Sequence, residues 1–322
     1  MKVFVTRRIP EAGLKILSDK YDVTVSDKDR PLEKDEIIEG VRDSDAVLCL
    51  LHDQIDAEIM DAGGNLKIIS NYAVGYDNID VKAATERGIA VTNTPGVLTE
   101  ATAEISWALM MAVSRRIVQG DEFVRKDRFS GWDPGLMVGH ELSGKTLGII
   151  GMGSIGMAVA RLSTGFDMDI LYHSRSRNKE AEEKYGAKKV DLQELLRDSD
   201  FVSLHVPLNE ETKEMISWKE MDVMKSTAYL INAARGEVVN EEALIEALRS
   251  GKIAGAGVDV YSDEPRGANP DYYDLNNVVL APHLGSATFR AREGMAVMAA
   301  ENIVAMLEDN KPEYIVNPEI MN

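Results

Sequence analysis

The chain has one cysteine among its 322 residues and no apolar run long enough to cross a membrane. A single cysteine excludes an intrachain disulfide. Cys49 stands within the apolar run 46–51, a setting typical of a buried structural thiol rather than a nucleophile. The N-terminus also has no long apolar core of the kind found in secretory signals. These absences predict a cytoplasmic protein without a membrane-spanning segment.

Basic residues are scarce relative to acidic ones. The chain carries 36 Lys and Arg against 54 Asp and Glu, which gives a formal net charge of −18. Nucleic-acid binding depends on clustered cations that neutralise phosphates, so no nucleic-acid partner is expected. An anionic ligand would need a local set of donors and cations, because exposed charges are largely screened beyond about 8 Å at physiological salt.

Metal-ligand spacing is also missing from the sequence. His52, His140, His173 and His205 do not stand at the intervals from the cysteine, or from one another, that metal sites use. We therefore predict no metal site.

Short β-branched runs alternate with helix-like segments, a pattern typical of parallel α/β domains. A chain of this length usually needs two hydrophobic cores, so two domains are expected. The predicted strands cover residues 3–6, 23–26, 46–50, 67–71, 89–93, 146–151, 170–173, 201–206, 228–233, 256–260 and 278–281.

Two long helices are predicted outside these strand series. Apolar residues at helical spacing predict one helix over 99–119, which begins with Thr99 as its N-cap and joins the two domains. A second helix over 287–307 follows the last strand of the second series. We expect it to return to the first domain, which would make that domain discontinuous.

A dinucleotide fingerprint follows the predicted strand 146–151. Gly151, Gly153 and Gly156 have its spacing, and the segment opens a helix. The first glycine permits a tight turn, the second lets the backbone approach a pyrophosphate, and the third lets the helix pack on the strand. The backbone N–H groups of Ser154 and Ile155 would then point at the anion.

The ribose contact departs from the usual NAD pattern. An acidic residue is expected about 20 positions after the fingerprint if a ribose 2′-hydroxyl is bound. The chain instead has Ser174, Arg175, Ser176 and Arg177 there. Hydroxyl and guanidinium groups suit a 2′-phosphate, so NADP is the predicted cofactor and NAD the alternative. Two solvated loop arginines would give the same pattern.

Three further segments with chemically useful side chains follow predicted strands. Arg235, Glu264 and His283 come after strands 228–233, 256–260 and 278–281. The carboxyl ends of strands in an open α/β sheet face the ligand crevice, so these side chains can converge. Each residue singly has a structural interpretation, but together they favour a catalytic group.

Three more stretches carry a family likeness together with these segments: Asn71–Asp80, Thr102–Glu104 and Leu204–Leu208. On these stretches, the chain resembles the D-isomer-specific 2-hydroxyacid dehydrogenases over essentially its whole length. Within that family the chain looks most like the glyoxylate/hydroxypyruvate reductases. The resemblance implies two doubly wound parallel-sheet domains. A Rossmann cofactor domain would cover 99–286, and a flavodoxin-like substrate domain would cover 1–98 plus 287–322.

The resemblance also implies roles for individual residues in the reduction of a small 2-keto acid. Arg235 would hold the substrate carboxylate and carbonyl, His283 would donate the proton, and Glu264 would fix the tautomer of the imidazole. A homodimer is implied as well, with Trp132 at a loop position that can reach a partner subunit. The remaining implied contacts are Leu51, Val74 and Gly75 for the substrate, and Thr102, Ala233, Asp259 and Gly285 for the cofactor.

Other functions fit the same motifs. A phosphoglycerate dehydrogenase or another D-2-hydroxyacid dehydrogenase that uses NAD is one alternative, and phosphite oxidation is another. A nucleotide-sensing binding protein on this scaffold would bind the cofactor without turnover. Such sensors resemble NAD binders with an acidic ribose contact, which this chain lacks.

Overall fold

The computed structural model describes residues 1–264 and 267–321. The chain divides into two compact units. The first unit comprises Met1–Leu98 and Ala287–Asn322, and the second comprises Thr99–Ser286. Each unit is built around its own parallel sheet.

The helices and strands alternate along the chain. In the first unit they are β1 Lys2–Val5, α1 Glu11–Ser18, β2 Asp22–Val25, α2 Lys34–Val41, β3 Ala46–Cys49, α3 Ala57–Ala62, β4 Ile68–Asn71, α4 Val81–Glu86 and β5 Ala90–Thr92. In the second unit they are α5 Thr99–Ser114, α6 Ile117–Arg125, β6 Thr146–Ile150, α7 Ser154–Ser163, β7 Asp169–His173, α8 Lys179–Tyr185, β8 Lys188–Lys189, α9 Leu192–Asp198, β9 Phe201–Leu204, α10 Trp218–Val223, β10 Tyr229–Asn232, α11 Glu241–Arg249, β11 Gly255–Val258 and β12 Val278–Leu280. The last helix, α12, is Phe289–Leu307 and belongs to the first unit.

The first unit has a five-stranded parallel sheet in the order β2-β1-β3-β4-β5. Strands β3 and β4 are buried along their full length, as expected for parallel strands covered on both faces. Helix α12 packs against them, and the Ser70 hydroxyl donates to the Ala299 carbonyl across 2.9 Å. Cys49 is completely buried, and burial raises the pKa of its thiol. The thiol is therefore structural, as its apolar setting predicts.

The second unit has a seven-stranded parallel sheet in the order β12-β11-β10-β9-β6-β7-β8. The chain starts at β6, adds β7 and β8 on one side, and then continues with β9 to β12 on the other. The order therefore reverses between β6 and β9, which is where ligands bind in doubly wound sheets. Two parallel sheets with flanking helices confirm the predicted fold class.

Backbone geometry corrects the prediction of one helix over 99–119. Helix α5 ends at Ser114, and α6 begins at Ile117. Arg116 between them has a left-handed φ of 55°, and a helix cannot run through that conformation. Apolar spacing continues across the break, so periodicity alone did not show it. Thr99, predicted as an N-cap, is the first residue of α5 instead.

Smaller differences concern the ends of elements and one strand. Strand β8 has only two residues, too few for an alternating pattern, and it was not predicted. Helix α12 begins at Phe289 rather than at residue 287, because the Thr288 side chain caps it by accepting from the Ala291 N–H.

Candidate active site

The glycine turn lies between β6 and α7. Gly151 has a φ of +97°, and a Cβ there would lie 2.3 Å from the carbonyl oxygen of His205. A Cβ at Gly156 would lie 2.1 Å from the Gly151 oxygen, so this glycine lets α7 pack onto the strand. No atom of the described residues lies within 4 Å of a Cβ built at Gly153. The turn is therefore tight on one side and open on the other.

Helix α7 presents its first N–H groups at this open side. Neither the Ser154 nor the Ile155 backbone N–H donates a hydrogen bond to any residue that the structure describes. Unpaired first-turn donors and the helix dipole favour an anion at this position.

A cavity of about 770 Å³ adjoins the turn. It extends from the glycines to the loop after β7 and to the segment after β9. Its lining includes Gly151, Gly153, Ser174, Arg175, Ser176 and His205.

The two arginines after β7 differ in their contacts. The Arg177 Nε donates to both carboxylate oxygens of Glu182, at 2.9 and 2.8 Å. The side chain of Arg175 makes no hydrogen bond or ion pair with the described part of the chain, and only its backbone oxygen accepts, from Lys189. The Ser174 hydroxyl donates to the Ser176 carbonyl and shapes this loop. The Arg175 guanidinium is therefore available to a ligand in the cavity, whereas two nitrogens of the Arg177 guanidinium are held by Glu182.

Strand register brings the other predicted residues to the same edge of the sheet. One row of paired residues crosses the central strands: Ile150, Leu204, Asn232, Val258 and Leu280. The glycine turn and the segments that carry Arg235, Glu264 and His283 all leave the sheet from this row. Ala233 is the first residue after β10 and is half-buried.

The loop with Arg235 is fixed by its neighbours. The side chain of Asn232 donates to the Arg235 carbonyl at 2.8 Å and accepts from the Ala234 N–H at 3.1 Å. A Cβ at Gly236 would lie 2.0 Å from the carbonyl carbon of Tyr261, so the loops after β10 and β11 are in close backbone contact.

His283 and Glu264 form a direct pair. Nδ1 of His283 lies 2.8 Å from Oε2 and 3.0 Å from Oε1 of Glu264, and both side chains are largely buried. His283 also has a left-handed φ of 53°, which is uncommon for a residue other than glycine and is found disproportionately at functional sites. The pair leaves Nε2 as the ring nitrogen that can face a substrate.

Asp259 holds the turn that follows His283. Its buried carboxylate accepts from the N–H groups of Leu284 at 2.6 Å and Gly285 at 2.8 Å. Burial raises the pKa of this carboxyl, and the two backbone donors oppose that rise. The Thr102 hydroxyl donates to the Gly285 carbonyl at 3.0 Å. Three residues predicted as cofactor contacts, Thr102, Asp259 and Gly285, thus form one hydrogen-bonded network at the turn after His283.

The predicted substrate residues of the first unit follow β3 and β4. Leu51, Val74 and Gly75 are half-buried. Within the described residues, the backbone N–H groups of Val74 and Gly75 donate no hydrogen bond. Half-buried donors without partners suit an anionic ligand, since leaving such groups unpaired is costly.

Comparison with known proteins gives the family. The model of the NAD binding domain of the D-isomer specific 2-hydroxyacid dehydrogenases matches residues 107–285. Over 99% of its length, the chain is 50% identical to the glyoxylate reductase of Thermococcus kodakarensis, 97% of which is aligned. The chain belongs to the D-isomer specific 2-hydroxyacid dehydrogenase family.

Solved structures agree with this membership. A protein from Thermus thermophilus is 43% identical with a TM-score of 0.92, and the match covers 98% of this chain and 100% of that one. An NADPH-dependent glyoxylate/hydroxypyruvate reductase from Sinorhizobium meliloti, solved with NADP and malonate, is 30% identical with a TM-score of 0.86. That match covers 98% of this chain and 96% of that one. The family predicted from the sequence is confirmed.

As a member of this family, the dehydrogenase is an NAD(P)-dependent oxidoreductase that binds a nicotinamide cofactor. The second unit fits such a group. As far as the structure describes the chain, the space over Gly153 is open and the first N–H groups of α7 are unpaired, and the adjoining cavity carries the cation of Arg175. Among the described residues, no cluster of His, Cys, Asp or Glu could hold a metal ion. No helix in the same part of the chain has both the length and the apolar character needed to cross a membrane.

Two residues that the sequence argument did not place in the site contribute to it. His205 lines the cavity, with Nε2 2.8 Å from the Ser203 hydroxyl and a buried Nδ1 that has no partner among the described residues. Tyr261 donates from its hydroxyl to the Ala281 carbonyl at 2.9 Å and thereby ties the loop after β11 to the strand before His283. Sequence reasoning missed His205 because the predicted strand 201–206 includes it, whereas β9 ends at Leu204 and leaves His205 beside the glycine turn.

Proposed function

We propose that this dehydrogenase reduces glyoxylate, and also hydroxypyruvate, with NADPH as the preferred reductant. The observation that carries the proposal is the His283–Glu264 pair at the same sheet edge as the glycine turn. The names of similar proteins support the choice of substrate, since the relative from Thermococcus kodakarensis is a glyoxylate reductase.

In this proposal each side chain has one task. The Glu264 carboxylate accepts from the Nδ1–H of His283 and stabilises the imidazolium, which carries a second proton on Nε2. That Nε2 proton is given to the keto oxygen, and the neutral imidazole that remains is the Nδ1–H tautomer. Arg235 holds the substrate carboxylate in a bidentate manner and orients the carbonyl. When bound, NADPH supplies the hydride that reduces the keto carbon. The second unit is the dinucleotide-binding domain.

The first unit is proposed as the substrate domain. The N–H groups of Val74 and Gly75 would donate to the substrate carboxylate, and Leu51 would line the pocket beside its side chain. The unpaired state of those two donors supports this assignment. The short 2-substituent of glyoxylate or hydroxypyruvate would lie against Leu51.

The proposed preference for NADPH rests on Arg175. Arg175 and Arg177 both line the cavity, but the Arg175 guanidinium has no partner among the described residues, whereas the Arg177 guanidinium is engaged by Glu182. An unengaged guanidinium can bind a 2′-phosphate by charge-assisted hydrogen bonds. Similarity to the reductase solved with NADP supports the same choice. Thr102, Ala233, Asp259 and Gly285 would lie along the cofactor.

A homodimer is proposed as the working form, and a cytoplasmic location stays a prediction. The support is a group of exposed large apolar side chains in residues 117–138, which we call the apolar arm. Trp132 in this arm is 84% exposed. We infer that these side chains form one patch, and exposed apolar patches are characteristic of protein interfaces. The arm also includes Ile117, Val118, Val124, Phe129 and Val138.

The test of the reaction is NADPH oxidation measured against a panel of small 2-keto acids. We expect saturable turnover, with glyoxylate and hydroxypyruvate giving the highest kcat/KM. His283→Ala should abolish turnover and leave NADPH binding, measured by fluorescence, nearly unchanged. Binding without turnover across the whole panel would instead identify a nucleotide-sensing protein.

The cofactor preference has its own matched pair of variants. Arg175→Asp should lower kcat/KM with NADPH and leave that with NADH largely unchanged, because it removes only the contact to the 2′-phosphate. Arg177→Ala is the control, since that guanidinium is already held by Glu182. Equal efficiency with both cofactors, unaltered by Arg175→Asp, would dismiss the preference.

A further inference from the structure

Two loops of the first unit are joined by a buried asparagine. We define the β3 loop as residues 50–54 and the β4 loop as residues 72–77. The Asn78 side chain amide donates to the carbonyl oxygens of Leu50 at 3.1 Å and Asp53 at 3.0 Å. Asn78 itself directly follows the β4 loop and is buried. One amide group thus fixes both ends of the β3 loop segment 50–53, in which Leu51 lies.

The β4 loop is held by two more asparagines. Asn71 donates from Nδ2 to the Gly75 carbonyl at 2.8 Å and to Oδ1 of Asn78 at 3.0 Å. Asn93 donates from Nδ2 to the Val74 carbonyl at 2.7 Å. The carbonyls of Val74 and Gly75 are therefore fixed, while their N–H groups stay available. Because a peptide unit is planar, fixing the Val74 carbonyl restricts the direction of the Gly75 N–H in the same unit. The Val74 N–H is restricted in the same way, since the Ala73 carbonyl of its peptide unit accepts from the Thr94 N–H at 2.9 Å.

A buried acid holds the β3 loop from the side of the sheet. One oxygen of the Asp53 carboxylate accepts from the Thr6 hydroxyl at the end of β1 and from the Leu50 N–H at 2.7 Å. Burial raises the pKa of the Asp53 carboxyl, and these two donors oppose the rise. Thr6 and Asp53 are both buried, so this anchor is shielded from competing water.

We propose that Asn78 is a positioning residue for substrate binding, because it sets the β3 loop and, through Asn71, the β4 loop in one fixed arrangement. This inference rests on the proposed function, in which Leu51, Val74 and Gly75 contact the keto acid. Asn78 touches none of the substrate. It acts by keeping the two backbone donors and the apolar wall at the spacing that a small 2-keto acid needs, and a displacement of about 1 Å is enough to reduce activity strongly.

Asn78→Asp tests this inference with nearly unchanged volume. The aspartate keeps an acceptor for Asn71 but places a carboxylate oxygen against the carbonyls of Leu50 and Asp53, where an amide donated before. We expect KM for glyoxylate to rise about tenfold or more, as the loss of buried hydrogen bonds implies. Affinity for NADPH should not change, because its proposed site is in the second unit.

Asn317→Asp is the matched control. Asn317 is also a buried asparagine of the first unit, and its side chain amide donates to the Ile89 carbonyl at 2.9 Å while its oxygen accepts from the Val91 N–H. Within the described part of the chain, its side chain makes no hydrogen bond to either loop. The control should lower Tm by a similar amount and leave KM unchanged. If both variants raise KM in proportion to their loss of Tm, the role of Asn78 is merely structural and the inference fails.

If Asn78→Asp does not fold, Thr6→Val provides a second test of whether the fixed β3 loop supports substrate binding. It removes only the hydroxyl that anchors Asp53, so we expect a smaller rise in KM in a folded enzyme. An unchanged KM in that variant would overturn the inference. Failure of the proposed function is separate, because it would appear as wild-type enzyme without turnover of any keto acid in the panel.

Discussion

Gly236 and Tyr261 are in such close contact that a Cβ at position 236 would lie 2.0 Å from the Tyr261 carbonyl carbon. This contact joins the loop that carries Arg235 to the loop that leads to Glu264. We expect Gly236→Ala to displace one loop, to lower Tm, and to reduce kcat/KM for glyoxylate by about 100-fold or more. Gly165→Ala is the control, since its Cβ would meet nothing within 4 Å. Wild-type kcat/KM in Gly236→Ala would contradict the prediction.

Glu264→Gln tests the support of the imidazole. Glutamine preserves the size of the side chain but removes the carboxylate that accepts from Nδ1 of His283. Because a positioned acid contributes about 100-fold to 10,000-fold in such reactions, kcat should fall by at least about 100-fold. The dissociation constant for NADPH should stay within about twofold of the wild-type value, since this carboxylate is not a proposed cofactor contact. A kcat near the wild-type value would remove Glu264 from the mechanism.

His205 should make the stability of the fold depend on pH. Burial lowers the pKa of this imidazole from 6.5 to about 4. Between pH 6.5 and 4, this imidazole therefore binds a proton more readily in the unfolded chain than in the folded one. The contribution of His205 to the free energy of unfolding is complete above pH 6.5 and is lost as the pH falls toward 4. The effect amounts to at most about 3 kcal/mol.

The measurement is Tm across that pH range for the wild type and for His205→Gln. The variant should lose less stability on acidification, because glutamine does not titrate. His140→Gln, which removes an exposed imidazole of the same unit, serves as the control. Identical pH profiles for wild type and His205→Gln would show that His205 does not carry the dependence.

The apolar arm should bury its exposed side chains against a second copy of the chain. We expect a dimer by light scattering, and Phe129→Asp should shift it toward the monomer because a carboxylate is costly to bury. Trp218→Asp is the control, since Trp218 is an exposed apolar residue on α10, outside the arm. A wild-type chain that is monomeric at all concentrations tested would rule out the dimer.

Much of the second unit could be predicted from the sequence because its signals are local. The spacing of Gly151, Gly153 and Gly156 after an apolar strand specifies a turn whose geometry depends on residues within six positions. The strand positions followed from β-branched runs, with ends that differ by one or two residues. The break at Arg116 was missed, because the left-handed conformation there leaves no trace in the spacing of apolar residues.

The contacts of each predicted residue depended on residues distant in the sequence. Arg175 and Arg177 look equivalent in the chain, yet Glu182 engages only the second. Asp259 was expected beside a cofactor, and its carboxylate is hydrogen-bonded to the turn after His283. Asn78 belongs to a recognised motif, but its bonds to Leu50 and Asp53 became visible only in the folded unit.

The sequence by itself determined the family, the parallel α/β architecture, the glycine turn and the residue types available for acid catalysis. These follow from local spacing and from strand and helix propensities, which short segments encode directly. Only the tertiary structure decided which arginine Glu182 holds, which nitrogen of His283 is held by Glu264, and which amides fix the loops after β3 and β4. The physical reason is that hydrogen-bond partners are chosen by strand register and packing, and these bring together residues that stand tens or hundreds of positions apart.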